Sequence, residues 1–427
     1  MKKLTLLLGM AIFLVVPGLF WALTLTSGLP GSVYLYELGK LMALAGFVLL
    51  TFQYVLSSGI PWIERGVGLD RLFGIHRKTG LIALILLLAH PVLFYVSEQL
   101  QGYQTPLSLL KLLGVAALLL LLVTTGAALL YGVVPAMRYE TWKRVHTAGY
   151  AVFVLAFVHS TLIGSDLRRW PMRTLWGVLA ILFLGVLAHK LWRRVRIRGN
   201  PFAVSDVVQE THDTWSVHFE GDHPPYTPGQ FMRVQLLREG KVSEPHPFTL
   251  SSSPTQKGLS ITVKSVGDFT GTIGETQTTD RAYIDMPYGR FSFVHFNAED
   301  LVLIAGGIGI TPFMSMLRYI RDKKLKKSVL LLWGNKTEED IAFREELERM
   351  EAEMPFLRVV HVISRQPDAS GERGRIDAGI LQRYVESFQA ALFFICGPPA
   401  MMQDVKQTLS GLGVSRKRIL SERFALR

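Results

Sequence analysis

Apolar positions are spread unevenly along the 427-residue chain. Up to about residue 196 they form long runs, at 4–25, 33–56, 81–96, 107–132, 145–164 and 174–192. A bilayer core of roughly 30 Å takes about 20 helical residues, so these runs predict a membrane α-helical bundle of six transmembrane helices. The third run is short unless His76 lies at its border. From 203 to 296 short segments such as "TWSVHFEG", "FMRVQLL" and "LSITVKSVG" alternate between apolar and polar, divided by turns such as "HPPYTPGQ". That is the pattern of a small antiparallel β-barrel. From 300 onward "LVLIAG", "SVLLLWG", "LRVVHVIS" and "ALFFICG" alternate with helices expected from 311, from 337, near 377 and from 398. This predicts a parallel, doubly wound α/β sheet. The expected domains are 1–196, 200–297 and 298–427.

Charge sharpens the division. Residues 1–195 hold 17 Lys/Arg against 6 Asp/Glu, and the remainder holds 29 against 28. The excess belongs to the membrane half, which speaks against a nucleic-acid partner and for orientation in the lipid bilayer by the positive-inside rule. Lys2 and Lys3, the 64–78 segment, Arg138 with Lys143 and Arg144, and "HKLWRRVRIR" then fall on one side, predicting an integral membrane protein with both termini cytoplasmic; that the membrane is a bacterial cytoplasmic one is implied only by the family resemblance given below. Arg168, Arg169 and Arg173 fall on the outer side, either outvoted by the other loops or meeting an anion there. The first run is too long for a signal peptide and lacks a small-residue cleavage site, so an uncleaved helix is expected. The single cysteine, Cys396, excludes an internal disulfide.

In the soluble half, "LIAGGIGITPF" ends a strand in Gly306, Gly307 and Gly309 and opens a helix at Thr311 and Pro312. Glycines admit a phosphate close to the backbone, and the helix start presents free amides and its positive dipole end. Together with "HPFTLSS" (246–252) and "FICGPPAMM" (394–402), this stretch resembles the ferredoxin-NADP reductase superfamily over residues 200–427. The resemblance implies that His246, Pro247, Phe248 and Thr249 line the isoalloxazine of FAD. It implies that Lys264, Gly271 and Thr272 handle the FAD pyrophosphate, that Cys396 and Gly397 lie near the nicotinamide, and that Phe424 covers the flavin. On this reading Thr249, Cys396 and Phe424 are the catalytic residues; for Cys396 a small buried apolar packing role stands beside it. "ISRQ" places Arg365 where the superfamily grips the extra phosphate of NADPH, with Lys336 and Arg375 adding charge, and NADH stays open.

Five of the eleven histidines fall in the membrane half: His76, His90, His146, His159 and His189. Fourteen helical residues rise about 21 Å and make close to four turns, so His76 and His90 share a face at opposite depths. His146 and His159 form a second pair on the fifth run, which is parallel to the third. His76 can then meet His146, and His90 can meet His159, as two b-type haems require. Interhelical hydrogen bonding or a proton relay is the alternative. Thirteen residues turn about 1300° and leave His159 roughly 140° away from His146, so an irregularity between them is expected, with Gly149 a candidate.

Six helices with these histidine pairs, "GLDRLFGIHRKTG", "HPFT", "AGGIGITPF" and "CGPP" together resemble the NADPH oxidase and ferric reductase family in a bacterial single-chain form. The resemblance implies electron transfer from cytosolic NADPH through FAD and two haems to dioxygen, giving superoxide, or to a ferric or other metal chelate. Phe153 may be read either as lying between the haems or as packing. Arg77, Lys143 and Arg144 are candidates for the inner haem propionates, and the outer-loop arginines for the outer ones. No calcium-binding loop or docking element for a regulatory subunit is evident, and oligomeric state is open. A membrane-tethered flavin reductase and a histidine proton channel are the readings from other classes.

Overall fold

The computed structural model describes residues 2–131, 133–134 and 139–422. The chain divides into two compact units at Arg193/Arg194. The first holds α1 (Lys2–Thr24), α2 (Gly31–Leu56), α3 (Pro61–Val67), α4 (Leu69–Gln101), α5 (Leu109–Leu130), α6 (Tyr139–Thr147) and α7 (Gly149–Ile163), and α8 (Trp170–Gly199) starts within it. Six stretches are long and apolar enough to cross a membrane: Thr5–Thr24, Gly31–Leu56, Arg71–Gln101, Leu109–Leu130, Thr141–Ile163 and Trp170–Gly199. The third is much longer than the apolar run alone suggested, so His76 lies well inside α4.

The fifth span is two helices. At Ala148 the amide reaches the carbonyls of both Arg144 (3.3 Å) and Val145 (3.1 Å), a tightened turn that ends α6. Gly149 then opens α7, and Tyr54 Oη donates to its carbonyl at 2.5 Å. The expected irregularity between His146 and His159 therefore exists, one residue before the glycine named for it.

The second unit begins with an antiparallel sheet of β1 (Phe202–Thr211), β2 (Thr214–Glu220), β3 (Phe231–Arg238), β4 (Lys241–Val242), β5 (His246–Thr249), β6 (Leu259–Lys264) and β7 (Arg281–Tyr288), with the short α9 (Asp268–Gly271) after β6. Strand order is β4-β3-β7-β1-β2-β6, β5 pairs with β3, and a bridge between Leu250 and Ile261 draws β5 towards β6. Val217, Phe219, Met232, Val234 and Ile261 fill its interior.

A six-stranded parallel sheet follows, built from β8 (Asp300–Gly306), β9 (Ser328–Asn335), β10 (Leu357–Ile363), β11 (Glu372–Arg373), β12 (Leu392–Cys396) and β13 (Ile419–Glu422) in the order β11-β10-β9-β8-β12-β13. Alternate residues face two cores, Leu303, Leu331 and Phe394 on one side and Ile304, Leu332 and Phe393 on the other, so the strands read as continuous apolar runs. Its helices are α10 (Thr311–Asp322), α11 (Arg344–Glu353), α12 (Ala378–Tyr384) and α13 (Pro399–Gly411). The helix expected from 337 starts later. Thr337 and Asp340 do form a capping pair, but on a single 3-10 turn, and the chain passes through a left-handed Phe343 (φ 55°) before α11 begins.

Candidate functional site

In the membrane unit, His76 on α4 and His146 on α6 have ring centres 6.0 Å apart, with planes at 72°. An imidazole nitrogen binds a first-row metal ion at about 2.0–2.1 Å, so two rings on opposite sides of one ion have centres about 6 Å apart. The pair therefore fits an iron between them. His146 Nδ1 lies 3.3 Å from the carbonyl of Thr124, and Trp142 stacks on its ring at 5.5 Å. Donation from Nδ1 leaves the Nε2 lone pair for a metal. His76 differs, because its Nδ1 is buried without a hydrogen-bond partner.

The second pair is seated by backbone on both sides. His90 Nδ1 lies 3.1 Å from the carbonyl of Gly39, and Phe94 meets its ring edge-on at 4.4 Å. His159 Nδ1 lies 2.6 Å from the carbonyl of Leu110. Two glycines make the room. A Cβ on Gly114 would come within 2.6 Å of the His159 ring, and one on Gly39 within 2.7 Å of Phe94. Phe153 is buried in an aromatic cluster, stacked on Phe183 at 3.9 Å and tilted against Phe47 at 5.2 Å, so it packs α7 against α2 and α8. On the outer loop Asp166 pairs with Lys40 at 2.8 Å, Arg173 donates to the carbonyl of Leu167 at 2.8 Å, and Arg169 lies over the Phe20 ring. Arg138 lies outside the described residues.

In the barrel, "HPFT" forms β5. His246 stacks on Phe269 at 3.9 Å and Phe248 lies 6.0 Å from the same ring. Thr249 Oγ1 is buried without a partner, an orphaned hydroxyl where the resemblance places the flavin. A buried hydroxyl left unpaired costs about 1–3 kcal/mol, so a bound polar ring is the expected partner.

Lys264, which the resemblance assigns to the FAD pyrophosphate, is engaged by two carboxylates. Its Nζ lies 3.0 Å from Asp213 and 3.1 Å from Asp340, joining the barrel to the parallel-sheet domain. Burial opposes all three charges, but their mutual hydrogen bonds outweigh it, holding the lysine pKa up and both carboxyl pKa values down. The cation at the Gly271–Thr272 turn is Arg238, which donates to Thr272 Oγ1 at 3.1 Å and to Thr276 Oγ1. Lys264 was chosen because it stands in the right motif; the two acids that engage it come from distant segments.

At the carboxyl edge of the parallel sheet, the "GGIG" and "CGPP" loops close on each other. A Cβ on Gly309 would collide with the carbonyl of Cys396, one on Gly306 with Met401 Sδ, and one on Gly397 would stand 3.0 Å from Gly306 Cα. Gly307 takes φ +51°. Thr311 opens α10 with its hydroxyl turned back to the Ile308 carbonyl at 3.2 Å, and Pro312 takes the next position. Cys396 is fully buried on the core face of β12, its thiol 3.8 Å from the Glu422 carbonyl. Burial first, and the Glu422 charge second, push its pKa well above the ordinary thiol value. Its side chain packs in the core of the sheet, the role that stands beside the catalytic one in the sequence. Phe424 lies outside the described residues.

Arg365 is exposed, on a loop fastened to the end of β9. Its amide donates to the Lys336 carbonyl at 2.8 Å, and Ser364 binds the Asn335 carbonyl. Glu338 grips the other end through Ser370 N at 3.0 Å and Ser370 Oγ. Asn335, which the sequence reading did not single out, ends β9 with both amide atoms buried and unpaired beside this loop.

Residues 42–157 match the ferric reductase like transmembrane component, 201–297 an FAD-binding domain, and 303–407 an oxidoreductase NAD-binding domain. These parts define an oxidoreductase whose soluble half binds FAD and a nicotinamide dinucleotide and whose membrane half is of the ferric reductase type. This order of domains matches the architecture of the NADPH oxidase and ferric reductase family. It is 31% identical over 232 residues to the glycine betaine monooxygenase reductase subunit of Chromohalobacter salexigens, covering 51% of this chain and 62% of that one. It is 30% identical to the sulfhydrogenase 2 subunit gamma of Pyrococcus furiosus, over 45% of this chain and 70% of that one. The chain thus spans less than two thirds of the length of the first of these relatives. Among solved structures, flavohemoglobin from Malassezia yamatoensis with bound FAD and heme is similar in fold, with a TM-score of 0.50 and 18% identity over 91% of this chain and 99% of that one.

Proposed function

We propose that the protein carries electrons from cytoplasmic NADPH across the bacterial cytoplasmic membrane to dioxygen, giving superoxide on the far side. Two histidine pairs at two depths of one helical bundle, with three of the four Nδ1 atoms at backbone carbonyls, carry this reading. Bound in this chain, FAD supplies the change from hydride to single-electron transfer, and two b-type haems supply one-electron stations between the faces. The chain's own residues do the rest. His76 with His146, and His90 with His159, would hold the haem irons through ring nitrogens; His246, Phe248 and Thr249 would offer the flavin a stacking surface and a free hydroxyl; Arg365 would offer a planar donor for the extra phosphate of NADPH.

Superoxide dismutase-sensitive dye reduction by the purified protein with NADPH tests the acceptor. The matched description of the membrane half supports a second reading, reduction of a ferric chelate, in which dismutase leaves the rate unchanged. Arg365→Ala tests the donor. Losing one charge-assisted contact of about 1.5–3 kcal/mol should raise the KM for NADPH at least tenfold and leave that for NADH unchanged. Equal effects on both would assign the arginine to the surface.

A further inference from the structure

Lys190 lies in the sixth span, on α8. Its Nζ donates to Tyr150 Oη on α7 at 2.6 Å and sits 5.4 Å from the centre of the Tyr150 ring. Tyr150 stands four positions after His146 in the chain, so the lysine is drawn to the His146 end of the fifth span. Among the described residues no carboxylate pairs with it. A lysine near a helix end commonly extends its stem towards the headgroups. Lys190 instead reaches across to the neighbouring helix. Lys40, in the second span, shows how this bundle otherwise treats a buried ammonium, with Glu37 and Asp166 each 2.8 Å away.

An intramembrane cation without a counter-charge carries an uncompensated desolvation cost, so its partner must be sought in a bound group. Buried polar atoms at the same end of the bundle point the same way. Gln53 donates to the Leu49 carbonyl and to Thr79 Oγ1, yet its Oε1 is buried with no donor, and His76 Nδ1 is likewise unpaired. His189, the residue before Lys190, has a buried Nε2 without a partner. The Gln53 oxygen is an acceptor and calls for a donor such as water, whereas the Lys190 ammonium calls for an anion.

We infer that Lys190, steadied by Tyr150, is the counter-ion of a haem carboxylate at the His76–His146 site. This rests on the haem reading above and adds a residue to it. It is a positioning and electrostatic role: a protonated ammonium has no lone pair with which to ligate, but a fixed positive charge favours the reduced state of a nearby one-electron station. The station that accepts electrons first would thereby be held at a higher potential.

Spectroelectrochemical titration and a haem count on the full-length protein test the inference, with wild type, Lys190→Met, Lys190→Arg and Tyr150→Phe. Removing a unit charge at about 10 Å, at an effective dielectric of about 20, corresponds to roughly a tenfold change in the reduction equilibrium. That is about 59 mV for one electron. The expected result is that Lys190→Met lowers one midpoint by this amount, in the haem that His76→Leu abolishes, and leaves the other unmoved. Lys190→Arg keeps the wild-type value, and Tyr150→Phe falls between. If Lys190→Met instead loses that haem, Lys190→Arg must retain it. Unchanged midpoints in Lys190→Met, or an arginine variant as altered as the methionine one, would overturn the inference. A wild type without haem would overturn the proposed function itself, and with it this role.

Discussion

The two histidine pairs of the membrane unit are held in different ways. At the outer pair both Nδ1 atoms lie against main-chain carbonyls, those of Gly39 and Leu110, and two glycines leave space for the ring and its neighbour. At the inner pair His146 Nδ1 lies against the Thr124 carbonyl, whereas His76 Nδ1 is buried without a hydrogen-bond partner, and Thr79 one turn on bonds the Gln53 side chain. Backbone fixes a ring tautomer and its direction without adding charge, so the outer pair is a rigid, electrically bland seat. Side chains such as Lys190 and Gln53 make the inner pair the one whose properties depend on charge. With haems bound as proposed, the two pairs would form stations that differ in what tunes them.

The largest test of this difference removes ligands. His90→Leu or His159→Leu should lose one of two haems and all reduction of the external acceptor, while NADPH still reduces the flavin in a stopped-flow trace. Loss of both haems from either variant would mean that the pairs are not independent seats. Gly114→Ala comes next. Its new methyl would press on the His159 ring, and overpacking of this kind costs about 1–3 kcal/mol. The low-spin spectrum of the outer haem alone should change; an equal change in both would break the comparison. Smaller still, Tyr54→Phe removes the hydrogen bond to Gly149 that fixes the break between α6 and α7. A loss of about 1 kcal/mol in stability is expected, with the ring geometry of His146 relative to His159 as the readout in electron paramagnetic resonance g-values.

What the sequence carried was whatever repeats or has a fixed offset. Apolar runs marked six spans, the spacing of 76 to 90 and 146 to 159 marked the pairs, and simple helix arithmetic required the break found at Ala148. What it hid was supplied by the main chain or by distant segments. A carbonyl acceptor such as that of Thr124 or Leu110 leaves no mark on residue type, and Gly114 matters only because His159 arrives opposite it. Lys264 reads as a phosphate ligand until Asp213 and Asp340 are seen to hold it, 51 and 76 positions away in the chain. Cys396 sits in the right motif, but strand alternation turns its thiol into the core with Leu392 and Phe394. Nothing in "HKLWRRVRIR" reveals that Lys190 bends back to Tyr150.

The most direct test of the central claim is a count of haem and flavin in the purified full-length protein, read with the dithionite-reduced spectrum. Two b-type haems per chain with bis-histidine spectra and one FAD are predicted. One haem, or none, would contradict the account of two stacked stations and leave the membrane half as an anchor for a flavin reductase.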